Sequence, residues 1–311
     1  MSEWVKVFSP ATVSNVGPGF DVLGFAIDQP GDELIVRKNN TGKFHLVNET
    51  DIDLPLEPEK NVASVAAKAM LQELGSQQGF DIILTRKIYP GSGIGSSAAS
   101  SVGAIFGVNE LLGSPLQRKD MVKFAMEGER IACGSAHADN TAPAMMGGFI
   151  LVQSYNPLTI CPIPSPENMY CTVIHPEIEV KTADARKILK KTVSLRAAIT
   201  QWGNLAGLVT GLMQNDFKLI ASSLKDVIVE PVRSILIPKF NDVQKAAIDA
   251  GALGCSISGS GPSIFALSNQ KDIAENIARI MQDTFLSINI GSKVFVSKVN
   301  PEGVRVIEKG N

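Results

Sequence analysis

The segment "PGSGIGSSAASS", Pro90 to Ser101, constrains this chain more than any other stretch. Its three glycines, five serines and two alanines leave the backbone bare over twelve residues. Glycine reaches backbone conformations closed to other residues, and serine is suited to capping the first turn of a helix. The preceding "GFDIILTRKIYP" alternates as a strand does, so the order is strand, glycine-rich turn, helix. Such a turn collects unpaired N–H groups at the positive end of a helix dipole, and phosphate is the ligand these donors suit. The same composition also describes a small-residue helix packed tightly on a sheet, and the segment alone leaves both readings open.

Two common nucleotide motifs are excluded. No Gly-Lys-Ser or Gly-Lys-Thr occurs, which rules out a Walker-type P-loop. Gly91, Gly93 and Gly95 run G-x-G-x-G, with Ser96 where a dinucleotide fingerprint needs its third glycine. The bulk numbers narrow the class further. A chain of 311 residues is long for one core and predicts two domains sharing a cleft. Charged residues are 19% with a net charge of −2, so no basic field exists for nucleic acid. Cys133, Cys161, Cys171 and Cys255 form no C-x-x-C pair and, with three scattered histidines, no typical zinc pattern; they read as reduced core residues. No apolar run of about 18 residues and no apolar leader segment is present, which predicts a cytoplasmic protein without a membrane partner.

Strand-like "EWVKVFSPAT" and "DELIVRKN" flank the turn-rich "VSNVGPGFDVLGFAI", and "NVASVAAKAMLQELG" reads as a helix ending at Gly75. A helix from about Gln117 to Arg130 leads through "GSAHADNTAPAMMGG" to strands "GFILVQSY" and "YCTVIHP". Between those strands the Pro-rich "NPLTICPIPSPEN" reads as a connection, which puts a boundary near residue 165 and divides the chain into 1–165 and 166–311. The remainder is predicted as helices at "KTADARKILKK", Leu195 to Met213, "KLIASSLKD", Phe240 to Ala250 and 271–285, closing with strands "KVFVSKV" and "VRVIE". Helices and strands mix without a strict repeat, so the fold class is α+β.

Several segments together carry a family resemblance. "PGSGIGSSAA" resembles the P-x-x-x-G-L-G-S-S-A-A motif of the galactokinase, homoserine kinase, mevalonate kinase and phosphomevalonate kinase (GHMP) superfamily, with Ile94 in place of the usual leucine and two residues rather than three between Pro90 and Gly93. "SPATVSNVGPGFDVLG" resembles the first motif of that superfamily in its homoserine kinase form, and "SISGSGPSIFAL" resembles the third. "HADNTAPAMMGG" resembles the substrate segment of homoserine kinases. The four come in the family order. The resemblance implies a two-domain GHMP kinase fold, with an N-terminal domain like ribosomal protein S5 domain 2 and a ferredoxin-like C-terminal domain. It also implies transfer of a phosphoryl group from ATP, with Mg²⁺, to the side-chain hydroxyl of L-homoserine, on the way to threonine, in a cytoplasmic homodimer.

Residue roles follow from the same likeness. ATP is expected against Asn61 and the run Pro90, Gly91, Ser92, Gly93, Ile94, Gly95, Ser96, Ser97, Ala98, Ala99 and Ser100, where side chains on the glycines would obstruct the phosphates. Ser97 and Glu129 are expected to hold Mg²⁺; on its own, Glu129 in "KFAMEGER" reads as a surface charge like Glu127. Homoserine is a zwitterion, and Asn15, Asp21, His137, Asn140, Arg186 and Arg233 are expected around it, with Asp21 suited to the ammonium and the arginines to the carboxylate. Read singly, Asn15 and Asp21 also suit turn roles and both arginines suit the surface. Asn140, Asp139 and Glu129 are the expected catalytic residues. The hydroxyl proton has two routes, onto Asp139 or onto a phosphate oxygen or water with Asn140 orienting the hydroxyl.

Overall fold

The computed structural model describes residues 3–310, and the side chains among them except that of Cys133. The first strands, β1 (Trp4–Ser14) and β2 (Leu23–Asn39), are long and antiparallel. β2 serves two neighbours in succession. Its first residues, Leu23 to Phe25, pair with β5 (Phe149–Tyr155), and its far half, Glu33 to Asn39, pairs with β4 (Gly79–Arg86). β3 (Phe44–Asn48) adds to β4 in parallel, and β6 (Leu158–Ile163) adds to β5. Four helices belong with this sheet: α1 (Val62–Glu73), α2 (Ser96–Leu111), α3 (Arg118–Cys133) and α4 (Ala138–Met146). Between them lies a core that includes Val7, Val36, Met70, Phe80, Ile105 and Val122.

The second sheet runs β10–β7–β9–β8, built from β7 (Tyr170–Pro176), β8 (Gly254–Ile257), β9 (Ile264–Ser268) and β10 (Ser292–Lys298), all antiparallel. Between β7 and β8 come α5 (Thr182–Lys187), α6 (Leu195–Gln214), α7 (Phe217–Ser223), α8 (Glu230–Arg233) and α9 (Phe240–Asp249); α10 (Lys271–Leu286) joins β9 to β10. This is the β-α-β-β-α-β order of a ferredoxin-like unit, as the sequence motifs implied. The two layers share one core. Phe25 lies 4.6 Å from Phe149 and 6.0 Å from Phe265 by ring centroids, so β2, β5 and β9 meet through aromatic contacts.

Some sequence expectations meet differences here. The Pro-rich connection contains β6, an edge strand that accommodates Pro162 because a proline there removes no interior ladder bond. The final strand, β11 (Arg305–Gly310), returns to pair with β1, so a split at residue 165 leaves one strand of the first sheet in the later part of the chain. Cys171 and Cys255 are buried, whereas Cys161, on β6, is half-buried; the expectation for Cys133 lies outside the described side chains.

Candidate active site

The glycine-rich segment splits its two readings between its halves. From Ser96 onward it is mainly packing, with Ser96, Ser97 and Ser100 also bordering the cleft: α2 buries Ala98, Ala99, Ser100 and Ser101, and small residues let it lie close to β1 and β2. From Pro90 to Gly95 it is a loop in which all three glycines take left-handed angles, with φ of 74°, 77° and 70°. The N-cap of α2 is Gly95, and no side chain caps it. The serines therefore do not close the helix start as expected. Its first-turn N–H groups stay available to a ligand.

The glycines are not equivalent. A Cβ on Gly91 would meet nothing within 4 Å, so Gly91 faces the open cleft. On Gly93 a Cβ would lie 2.8 Å from the carbonyl oxygens of Ser258 and Gly261, so that glycine is required by protein backbone rather than by phosphate. On Gly95 it would strike Thr12 Oγ1. The third glycine-rich motif clamps the loop from behind: Ser258 Oγ donates to Gly93 O at 2.7 Å and Ser263 Oγ to Ser92 O at 2.5 Å. Of the loop residues expected at ATP, Ile94, Ala98 and Ala99 turn their side chains into the core, and Ser92 is buried beneath the clamp. Pro90, Gly91, Gly93, Gly95, Ser96, Ser97 and Ser100 line the cleft.

Beneath the loop lies an ion pair that sequence reasoning missed. Lys87, at the end of the strand entering the loop, donates to Asp32 Oδ2 at 3.0 Å and to the carbonyl and hydroxyl oxygens of Ser96. Asp32 also accepts from Ile88 N at 2.7 Å and from Ser100 Oγ at 2.6 Å. Both charges are buried, and burial lowers the Lys87 pKa despite the aspartate beside it. Nothing in the spacing of residues 32 and 87 signals the pairing. Beside it, Ser97 Oγ donates to Glu129 Oε1 at 2.5 Å. Glu129 is 6% exposed, whereas Glu127 pairs with Arg130 at the surface. Burial raises the Glu129 carboxyl to about 6, against the lowering effects of Ser97 and Lys87. Asn61 caps α1, its Oδ1 accepting from Ala63 N at 3.0 Å, and it borders the same cleft.

The other end of the cleft gathers the expected substrate residues. Asn15 and Asp21 both have left-handed φ, and Asp21 N donates to Asn15 Oδ1 at 2.8 Å, so the turn reading and the site reading hold together. Arg186, on α5, donates to both Asp21 oxygens, at 2.8 and 3.1 Å, and touches His137 Nε2 at 3.2 Å. Arg233, on α8, is 3% exposed; it donates to Gly259 O and Ala185 O and lies 4.9 Å above the Phe20 ring. Burial first, then Arg186, lowers its pKa to about 10. Burial lowers the His137 pKa as well, with Asp21 opposing it and Arg186 and Arg233 adding to it. Asn140 is held by Thr12, which donates to its Oδ1 at 2.7 Å, and by Ser14, which accepts from its Nδ2 at 2.9 Å. Asp139 is 3% exposed and its Oδ1 has no partner; burial, with Asp21 and Glu129 nearby, raises it to about 7. Thr12, Ser14, Phe20 and Thr182 were not singled out from sequence, although the first three lie within or beside the first motif.

The two ends form one cavity of about 480 Å³ between the layers. A glycine loop with open N–H groups lies at one end of it and a charged cluster of both signs at the other. Comparison with known proteins agrees. The signature of the GHMP kinases N terminal domain matches residues 61–148, and that of the GHMP kinases C terminal matches residues 208–286. A homoserine kinase of Chloroherpeton thalassium is 49% identical, over 97% of this chain and 99% of its own; one of Chlorobium phaeobacteroides is 47% identical over the same shares. The crystal structure of homoserine kinase from Cytophaga hutchinsonii superposes with a TM-score of 0.94 at 55% identity, covering 98% of this chain and 97% of that one. A mevalonate kinase from L. major, at 17% identity and a TM-score of 0.71, shares the fold. On these matches and this geometry, the chain belongs to the homoserine kinases of the GHMP kinase family.

Proposed function

We propose that this cleft transfers the terminal phosphoryl group of ATP to the side-chain hydroxyl of L-homoserine, giving O-phospho-L-homoserine for threonine biosynthesis. The observation that carries the reading is the convergence in one cavity of the Gly91 loop with Asp21, His137, Arg186 and Arg233. The loop's N–H groups and the α2 dipole hold the phosphates, and Asn61 borders the nucleotide's far end. Asp21 and Arg186 satisfy each other in the free protein, and homoserine brings the complementary pair of charges: its ammonium replaces Arg186 at Asp21, and its carboxylate takes the guanidinia of Arg186 and Arg233. His137 and Asn140 orient the hydroxyl.

Ser97 Oγ and Glu129 Oε1 are hard oxygens on neighbouring helices at the loop's edge, and they fit Mg²⁺ with phosphate oxygens and water completing its shell. Bound there, the cation neutralises charge on the transferring group. Asp139 borders the cleft but is only 3% exposed, and burial raises its carboxyl to about 7; of the two routes for the hydroxyl proton our reading takes the one onto a phosphate oxygen or water, with Asn140 orienting the hydroxyl. The test is a coupled ADP-release assay across homoserine, threonine, serine and mevalonate. Homoserine is expected to give the highest kcat/KM, and preference for mevalonate would reject the acceptor assignment.

The homoserine kinase resemblance also leads us to read the protein as a cytoplasmic homodimer. Among the described residues no helix is long and apolar enough to cross a membrane.

A further inference from the structure

Tyr155 closes strand β5, where it pairs with Leu158 across the turn into β6, so its place is set by the ladder. Its Oη accepts from the Ala138 N–H at 3.3 Å and donates to the Asp21 carbonyl at 3.0 Å. Asp21 lines the cleft, and so do His137 and Asp139 on either side of Ala138. Each partner needs what the phenol gives. Asp21 has a φ of 59°, a left-handed conformation unfavourable for a residue with a Cβ, and such backbone persists where its surroundings over-determine it. Asn15 Oδ1 takes the Asp21 N–H at 2.8 Å and Tyr155 the carbonyl, so side chains fix both main-chain polar groups of that residue. At the other end, α4 starts from His137, whose side chain makes no capping hydrogen bond. The first N–H of the helix, that of Ala138, finds its acceptor in Tyr155 instead. The phenol keeps its proton for donation, because burial first and the Asp139 carboxylate next raise its pKa above the ordinary value.

We propose that Tyr155 is a positioning residue for the acceptor: its hydroxyl fixes the spacing between Asp21 and the start of α4, and that spacing selects an amino acid with its hydroxyl on the γ-carbon over one with it on the β-carbon. The inference rests on the reading in which Asp21 takes the ammonium while His137 and Asn140 take the hydroxyl. Two segments of chain then hold the two ends of the acceptor, and Tyr155 ties them directly. Arg186 also bridges Asp21 and His137 in the free protein. That bridge opens when the ammonium replaces Arg186 at Asp21, whereas the Tyr155 tie uses main-chain groups the acceptor does not need. Homoserine and serine differ by one CH₂ between ammonium and hydroxyl, a carbon–carbon bond of about 1.5 Å. A misplacement of about 1 Å at a reacting centre can cost on the order of a hundredfold, so a fixed spacing discriminates between them.

The test is steady-state kinetics of Tyr155→Phe in the whole chain, with homoserine and serine as acceptors and serine also scored as a competitor of homoserine. The ring is 38% exposed and the substitution removes one oxygen, so the variant is expected to fold with a Tm close to that of wild type. Homoserine KM should rise about five- to tenfold, the size of one hydrogen bond, while ATP KM stays within about threefold. The preference for homoserine over serine, in kcat/KM or in competition, should narrow by a similar factor. An unchanged homoserine KM overturns the proposal. So does a rise in homoserine KM with an unchanged preference, or an equal rise in ATP KM, since either would leave Tyr155 a structural support alone. The wild type separates this inference from the one beneath it. Without homoserine turnover in wild type both readings fall; with it, an unaltered variant rejects the role of Tyr155 and leaves the functional reading standing.

Discussion

At the scale of single residues, the glycines of the loop separate two causes that the sequence merges. In Gly93→Val the added carbons meet the Ser258 and Gly261 carbonyls, so the substitution damages the clamp before any phosphate is present. Its expected signature is a lower Tm, with a loss of several kcal/mol. Gly91→Ala should cost only about 1–2 kcal/mol for a left-handed non-glycine, yet weaken ATP binding, because its methyl enters the open cleft. Thermal unfolding with an ATP titration checks both, and a wild-type ATP affinity in folded Gly91→Ala would remove Gly91 from the phosphate site. The carboxyls of Glu129 and Asp139 give a second prediction. Both are raised, to about 6 and about 7, so the folded state holds their protons more tightly than the unfolded chain does. Their contribution is fully present below about pH 4 and is lost as pH rises through 6 and 7. Glu129→Gln and Asp139→Asn should therefore each gain on the order of 1–4 kcal/mol over wild type at pH 8, a gain that disappears near pH 4 in denaturant melts. Their kinetics should diverge. Glu129→Gln should lower kcat strongly with little change in homoserine KM, whereas Asp139→Asn should keep kcat within about tenfold, since loss of a general base costs roughly 10²–10⁴.

At the scale of elements, the junction of β4, the loop and α2 depends on Lys87 and Asp32. Removing one partner of a buried pair leaves the other charge uncompensated, at a cost of about 3–5 kcal/mol. Lys87→Met should lower stability by that order, and adding Asp32→Asn should recover part of it; strict additivity in the double-mutant cycle would deny the coupling. The pairing also shows what a sequence can reveal of such a junction. Alternating apolar strands such as β4 and periodic helices such as α6 and α10 are legible because each writes its burial into neighbouring residues. β6 is not, since prolines and polar residues at an edge read as a loop. The family likeness named Asn15, Asp21, Ser97, Glu129 and both arginines, and the fold gathers them in one cavity. Lys87, Asp32 and Thr12 escaped notice because their roles exist only once distant segments meet. Glu129 was recoverable only through the family likeness, as its own helix presents it beside the surface residue Glu127.

At the scale of the whole molecule, the proposed acceptor site is an arrangement between the layers. Asn15 and Asp21 come from the first sheet's loop, while Arg186 and Arg233 come from the helical excursion between β7 and β8. Both guanidinia lie over the Phe20 ring, at 5.5 and 4.9 Å from its centroid, so one aromatic side chain contacts both arginines. If these arginines read the homoserine carboxylate, each lost charge-assisted bond removes about 1.5–3 kcal/mol, a rise in homoserine KM of roughly ten- to a hundredfold. In Arg186→Ala and Arg233→Ala, ATP KM should stay within about threefold, because we place the nucleotide at the other end of the cleft. Lysine should rescue Arg186 only in part, as it lacks the planar fork. Arg233 should tolerate lysine less, since its guanidinium also satisfies the Gly259 and Ala185 carbonyls in a buried setting. Steady-state kinetics with homoserine and with its methyl ester decide the matter: the ester has already lost the charge the arginines hold, so the variants should lose little further activity on it. An equal loss on acid and ester would mean that the two arginines only tie the layers together.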